Sequence, residues 1–373
     1  MRVLLDVSAV PARPVGAGVY TIQIARRLAE HPEVDLVLVT RTDDADRWAE
    51  LAPEAERLAE VPDRRPARLL WEQRRAPGLA RRIGVDLWHG PHYTMPLRIE
   101  VPSVVTIHDL TFFDHPEWHE RSKVAFFRRM IRAAVRRANG LICVSDHTAR
   151  RLDAVLSPSA PVTVAAHGVD HTRFTPDADA AADRAVLART GIAEPYVAFV
   201  GTIEPRKDVP SLVRAFAAIA DAHPGLRLVL AGADGWGADA VRDAVATSGC
   251  TTRILRPGYV PADALAPLLR RADAVAYPSL EEGFGLPALE ALACGTPVVT
   301  TTGSAMADVC GDAALLVPPG RSDLLADGLM RVLDDPGEAA RLRAAGPPRA
   351  AGFTWEAAVE AHLRAYRLAI GPR

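Results

Sequence analysis

The chain has 373 residues, 49% hydrophobic and 24% charged, with a formal net charge of −2. That length suits two domains with two buried cores, and the near-neutral balance gives no signal for a polyanionic partner such as nucleic acid. Four cysteines, Cys143, Cys250, Cys294 and Cys310, lie far apart without Cys-x-x-Cys spacing, which argues against a zinc ribbon or a disulfide frame and for buried thiols in a reducing compartment.

The N-terminus runs straight into a strand, Val3-Leu4-Leu5, with no signal-peptide apolar region, and no stretch is apolar enough to span a bilayer. A cytoplasmic protein is expected. After Pro11-Ala-Arg-Pro14, the pair Gly16 and Gly18 opens a helix from Val19 to Ala29. A third spaced glycine is missing, so the dinucleotide fingerprint is weak; a plain βα turn and a loop in which Gly16 and Gly18 let a ligand approach closely stay equally open. Val34 to Thr40 predicts a second strand, and residues 43 to 60 read as polar and helical. Asp86 to His89 reads as a strand end and Val104 to Ile107 as a buried strand ending at His108 and Asp109. That is where open α/β sheets bind ligands.

Residues 121 to 137 carry seven basic side chains and no acid, with Phe126, Phe127, Met130, Ile131 and Ala134 at helical spacing. A solvated basic face over a core stripe and attachment to an anionic membrane surface both fit this helix. Nucleic acid fits worse, since no aromatic-interleaved groove accompanies it. Strands at 141–144 and 162–166 follow. Ser145 is expected to cap the helix after it.

Residues 171 to 195 read as a linker with a short helix. The strand Tyr196 to Val200 then leads into Gly201-Thr202-Ile203-Glu204-Pro205-Arg206-Lys207. Arginine can grip phosphate oxygens in a bidentate way and lysine offers a compact charge. Only two of the 44 basic residues are lysines, Lys123 and Lys207, which singles out Lys207 further. Later strands are expected at 227–231, 253–255, 274–277, 298–300 and 314–317. Helices are expected to run to about residue 369. The Asp-x-Asp strings at 44–46 and 177–179 fall in polar helix or linker, not at strand ends, so no metal site is expected.

The most informative stretch is Glu281-Glu-Gly-Phe-Gly-Leu-Pro287 and the helix that follows. It is a strand, a glycine-rich turn, a helix with proline in its first turn, a Gly295 stop and a strand: one βαβ crossover. The helix N-terminus beside glycines suits an anion. Glu282 and Glu290 suit sugar hydroxyls on either side of a diphosphate.

This block resembles the signature of retaining, nucleotide-sugar-dependent glycosyltransferases of family 4, which have the GT-B fold. The resemblance implies an α/β protein of two doubly wound parallel-sheet (Rossmann-like) domains facing across a cleft. Residues 1–180 would form the acceptor-side domain and 181–352 the nucleotide-sugar domain. The helix in 353–373 would pack back on the first. It implies that Glu282 and His108 contact the transferred sugar, with Asp109 orienting His108 or binding the acceptor. Glu290 would hold the ribose, and the backbone from Gly283 through Phe284 and Gly285 to Leu286 the diphosphate. Arg206 and Lys207 would neutralise the leaving group. Thr202 stands where many members carry an arginine, so Arg206 must supply that charge. The nucleobase is expected along 256–265, including Tyr259 and Val260, and the sugar near Gly16 and Gly18. At residues 167–170 the family usually has Asn-Gly-Val-Asp, and here the first position is His167.

The implied reaction is hexose transfer to the hydroxyl of a glycan, glycolipid or small-molecule acceptor, without a cofactor. The Gly-Thr-x-Glu-Pro-Arg-Lys variant leans towards GDP-mannose and polysaccharide assembly. A cytoplasmic enzyme at the inner face of the plasma membrane is expected; a nucleotide-sugar epimerase or phosphorylase of similar fold, a non-catalytic nucleotide-binding protein and a membrane-surface structural protein acting through residues 121–137 are the competing readings.

Overall fold

The computed structural model describes residues 1–371. Among these, thirteen strands form two sheets, and every pairing within them is parallel.

The first sheet holds β1 (Arg2–Asp6), β2 (Asp35–Arg41), β3 (Glu56–Val61), β4 (Leu87–Gly90), β5 (Ser103–Ile107), β6 (Gly140–Cys143) and β7 (Val162–Val164). Its order is β3-β2-β1-β4-β5-β6-β7. Strands β4, β5 and β6 are buried from end to end, as expected of parallel strands covered on both faces.

The second sheet holds β8 (Tyr196–Val200), β9 (Arg227–Ala231), β10 (Ile254–Gly258), β11 (Ala274–Tyr277), β12 (Val298–Thr301) and β13 (Ala314–Val317), in the order β10-β9-β8-β11-β12-β13. The order reverses between β1 and β4 in the first sheet and between β8 and β11 in the second. Ligands of doubly wound sheets bind beyond the strand ends at such points.

Two compact units result. One is Met1–Gly168 with the segment from Trp355; the other is Val169–Thr354. The sequence placed the first division near 180, but residues 169–180 lie with the second unit. There Val169 N donates to Phe353 O at 3.2 Å, and Arg270, paired with Asp183, also reaches Thr175 O. The helix Trp355–Ile370 packs on β6, β7 and the helix Ala17–Ala29.

Residues 43 to 60 are not one helix. A short helix, Ala45–Leu51, precedes the edge strand β3. Only Val61 of β3 is buried, so its composition is that of a solvated surface and carries no strand signal.

Candidate active site

In the second unit, the loops after β8 and β11 meet at the reversal of strand order. Leu280 N donates to Arg206 O at 2.8 Å and ties them together. The loop after β11 reaches Gly285, which caps the helix Leu286–Ala293 with φ of +96°. A Cβ there would sit 2.7 Å from Met306 Cγ, so both the backbone twist and the space call for glycine. No side chain caps this helix. Pro287 has no N–H and the N–H groups of Ala288 and Leu289 bond Gly285 O at 3.0 and 3.3 Å, so what the start of this helix offers an anion is its dipole and the N–H of Leu286.

Glu282 lies at the centre. Arg206 Nη1 donates to Glu282 Oε2 at 2.5 Å, Lys207 Nζ donates to Oε1, and Ser279 Oγ donates to Oε1 at 3.0 Å. Arg206 also bonds Glu204 at 3.1 Å. Burial alone would raise the Glu282 carboxyl, but the charges of Arg206 and Lys207 outweigh it and hold it at about 2. Burial draws Lys207 below the usual lysine range, with Glu282 opposing it. Three charged groups expected to serve different parts of one ligand therefore also satisfy one another.

Glu290 is buried within the helix, 8% exposed. Burial pushes its carboxyl up to about 8 against the charge of Arg173, so at neutral pH it is a hydroxyl donor as well as an acceptor.

The segment 201–205 is clamped from one side by the loop after β9. A Cβ on Gly232 would lie 1.9 Å from Gly201 O, and one on Gly235 2.7 Å from Ile203 O. This close approach fixes Thr202 and the turn bearing Arg206 and Lys207. Tyr259, 40% exposed, and Val260 follow β10, next to Gly258, whose carbonyl accepts from Gly232 N at 2.7 Å.

In the first unit, His108 follows β5. Its Nε2 donates to Pro91 O at 2.8 Å, which leaves Nδ1 as an acceptor. Burial lowers its pKa, so the ring is neutral near pH 7. Asp109 Oδ1 accepts from Thr111 N at 3.0 Å and Thr111 Oγ1 at 2.7 Å, which makes it a turn cap; the ring bond of His108 goes to Pro91 instead. Gly16 has φ of +46° ahead of the helix Ala17–Ala29, and Gly18 packs where a Cβ would lie 3.1 Å from Pro14 Cβ.

Sequence reasoning missed a buried network beside His108. Tyr20 OH bonds Thr106 Oγ1 at 2.8 Å and His362 Nε2 at 2.7 Å. His89 joins Thr106 Oγ1 at 2.9 Å to Tyr366 OH at 2.7 Å. Its partners come from opposite ends of the chain, so no local spacing announces it. His167 stacks at a tilt against Tyr20 at 5.0 Å and Trp355 at 5.8 Å.

The basic helix Arg121–Arg137 spends much of its charge locally. Arg128 Nε donates to Phe112 O at 2.6 Å, Arg132 lies 5.0 Å over the Phe113 ring, Arg137 Nη1 donates to Leu97 O at 2.7 Å and Lys123 pairs with Glu120 at 2.9 Å. Arg121, Arg129 and Arg136 are exposed. In the Asp-x-Asp strings, Asp44 pairs with Arg41 and Arg47, and Asp179 caps the helix Ala180–Ala188. Among the described residues, no group of His, Cys, Asp and Glu is placed to hold a metal ion and no helix is long and apolar enough to cross a membrane.

Residues 14–173 match the family described as Glycosyltransferase Family 4, and residues 188–349 match Glycosyl transferases group 1. The chain is 28% identical to the O-antigen chain mannosyltransferase B of Escherichia coli, over 99% of this chain and 100% of that protein. It is 35% identical to the D-inositol 3-phosphate glycosyltransferase of Actinosynnema mirum, over 79% of this chain and 70% of that one. Among solved structures, a sucrose-phosphate synthase from Thermosynechococcus elongatus superposes with a TM-score of 0.82 at 24% identity, covering 98% of each chain. Anabaena HepE in complex with UDP-glucose superposes with a TM-score of 0.79 at 19% identity, over 96% of this chain and 97% of that one. With two parallel-sheet units of GT-B type and both halves matched in order, the chain belongs to the GT-B glycosyltransferases that join a family 4 N-terminal half to a group 1 C-terminal half.

Proposed function

We propose that the protein transfers a hexose, with retention at the anomeric carbon, from a nucleoside diphosphate sugar to an acceptor hydroxyl. The observation that carries this reading is the meeting of Arg206, Lys207 and Glu282 beside the uncapped helix that starts at Leu286. As the bond from the anomeric carbon to the diphosphate oxygen breaks, its electron pair stays on the leaving oxygen. Arg206, Lys207, the Leu286 N–H and the dipole of the 286–293 helix stabilise that charge. They supply the neutralisation themselves, so the reaction proceeds without a metal ion.

Two roles follow for Glu282. Its pairs with Arg206 and Lys207 balance two cations that would otherwise repel each other. When a diphosphate takes those cations, its carboxylate turns to the sugar hydroxyls. Glu290, protonated at neutral pH, is suited to hydrogen-bond the ribose. The neutral ring of His108 meets the donor sugar, the role its counterpart has in the family that this sequence resembles.

Mannose carried on GDP is our reading of the donor, supported by the full-length likeness to a mannosyltransferase. An acceptor in polysaccharide or glycolipid assembly at the inner face of the plasma membrane suits the exposed Arg121, Arg129 and Arg136.

A thermal-shift screen with GDP-, UDP-, ADP- and TDP-sugars, followed by product analysis, tests the reading, because a ligand bound by the folded state raises apparent stability. The expected result is stabilisation by one nucleotide family and release of its diphosphate. Epimerised donor or a sugar phosphate as the product would overturn it.

A further inference from the structure

Strand β12, Val298-Val299-Thr300-Thr301, is buried from end to end, yet half of it is polar. Valine has nearly the shape of threonine, so each hydroxyl here counts only through the bond it makes, and a buried hydroxyl without one is costly. Both bonds go to the neighbouring chain. Thr300 Oγ1 donates to Tyr277 O at 2.9 Å, at the last register pair of β11 and β12. Thr301 Oγ1 donates to Ser279 O, two residues past the end of that ladder. A side chain there replaces the strand N–H that the Ser279 carbonyl has left behind.

Ser279 is itself buried, and its Oγ donates to Glu282 Oε1 at 3.0 Å. The main chain of Glu282 is held from the same side, with Ala305 N donating to Glu282 O at 3.3 Å. A hydrogen-bonded chain therefore runs from β12 through Ser279 to the carboxylate. The two cationic donors to that carboxylate, Arg206 and Lys207, come from the loop after β8. Those cations are drawn to a diphosphate. Ser279 is neutral, shares the loop of Glu282 and has its carbonyl fixed by Thr301, so it is the donor that stays.

We infer that Ser279 and Thr301 are positioning residues for the transfer: Ser279 holds the Glu282 carboxylate towards the sugar once the diphosphate engages Arg206 and Lys207, and Thr301 fixes Ser279. This rests on the transferase reading above. The chain acts on Glu282 at the reaction centre and not on the diphosphate. Its loss therefore lowers kcat and leaves donor KM and nucleotide affinity nearly unchanged.

The test uses the whole protein with GDP-mannose, UDP-glucose, ADP-glucose or TDP-glucose, whichever stabilises it most, and methyl α-D-mannoside or myo-inositol as acceptor. It measures kcat and donor KM, and Kd for the matching nucleoside diphosphate by calorimetry. Ser279→Ala removes the hydroxyl at Glu282. Thr301→Val removes the hydroxyl behind it with little change of shape, and serves alone if Ser279→Ala misfolds. Thr301→Ser keeps that hydroxyl. Thr300→Val deletes the neighbouring bond to Tyr277 O, which is not on the path to Glu282, and controls for a general loosening of the sheet. Ser279→Ala is expected to lose at least tenfold in kcat and Thr301→Val at least fivefold, with KM and Kd within threefold of wild type. Thr301→Ser and Thr300→Val are expected to stay within twofold in kcat. A kcat within twofold of wild type in both Ser279→Ala and Thr301→Val overturns the inference. So does a loss that Thr300→Val matches, that Thr301→Ser does not spare, or that lies mainly in KM or Kd. If the wild-type protein turns over none of the four donors, the transferase reading falls and this inference with it.

Discussion

Arg206 Nη1 lies 2.5 Å from Glu282 Oε2, in a part-buried pair that Lys207 completes from the other oxygen. The carboxylate occupies the cations that a diphosphate would need. Under the proposed function it would both pre-assemble the site and compete with the ligand.

Glu282→Gln separates these two effects. Removing the negative charge frees the cations, so the nucleoside diphosphate is expected to bind several-fold tighter by calorimetry. The amide no longer supports the sugar at the reaction centre, and turnover is expected to fall by about 10²-fold or more, the scale of losing one charge-stabilising contact. The apo variant also loses stability by about 3 kcal/mol, the scale of leaving a buried partner uncompensated. Unfolding by urea with and without nucleotide reads this directly.

Gly285→Ala tests the turn. The new Cβ would meet Met306 Cγ at 2.7 Å on a backbone with φ of +96°. We expect a lower Tm and a loss of nucleotide-induced stabilisation larger than the loss of Tm alone. Met306→Ala in the same chain relieves the steric part only, so a residual defect measures the backbone strain.

Glu290 sets a pH signature. Burial holds its carboxyl at about 8 in the folded protein against an ordinary value of 4.5. Between those two values the folded state keeps a proton that the unfolded chain has lost, so stability falls as pH rises through that window. Glu290→Gln abolishes the fall. The difference in unfolding free energy between Glu290→Gln and wild type should therefore grow from pH 5 to pH 8.5, at up to about 1.4 kcal/mol per pH unit. Glu282 behaves oppositely: its contribution is present above about 4.5 and is lost as pH falls towards about 2.

The network of Tyr20, Thr106, His362, His89 and Tyr366 fastens the C-terminal helix to its own unit. Tyr20→Phe leaves His362 Nε2 without its partner in a buried setting, a loss of about 1–3 kcal/mol. Hydrogen exchange is expected to speed up in Trp355–Ile370 before it does so in β8–β13.

Both doubly wound sheets were legible because parallel strands are continuous apolar runs, as in Val3-Leu4-Leu5 and Val104 to Ile107, separated by helical patterns. The Glu282–Glu290 block was legible because a glycine turn, Pro287 and the Gly295 stop follow one another locally. Strand β3 was not, since an edge strand facing water loses the apolar alternation that would mark it. The pairing of Arg206 and Lys207 with Glu282 was not either: the motif pointed each of them at a ligand, while their contacts with one another join loops about 75 residues apart, which no local spacing shows. His362 lies 342 residues from Tyr20, and only the return of the last helix to the first unit brings them together. The basic helix read correctly as amphipathic, but composition could not tell Arg128 and Arg137, which bond backbone carbonyls, from Arg121, Arg129 and Arg136 on the exposed face.

The most direct measurement is calorimetric titration with the nucleoside diphosphate that stabilises the protein most. It compares Glu282→Gln with the triple variant Arg206→Gln, Lys207→Gln, Glu282→Gln, so that removing the cations strands no buried carboxylate. A Kd at least 100-fold weaker in the triple variant is predicted. Affinities within threefold of each other would contradict the account.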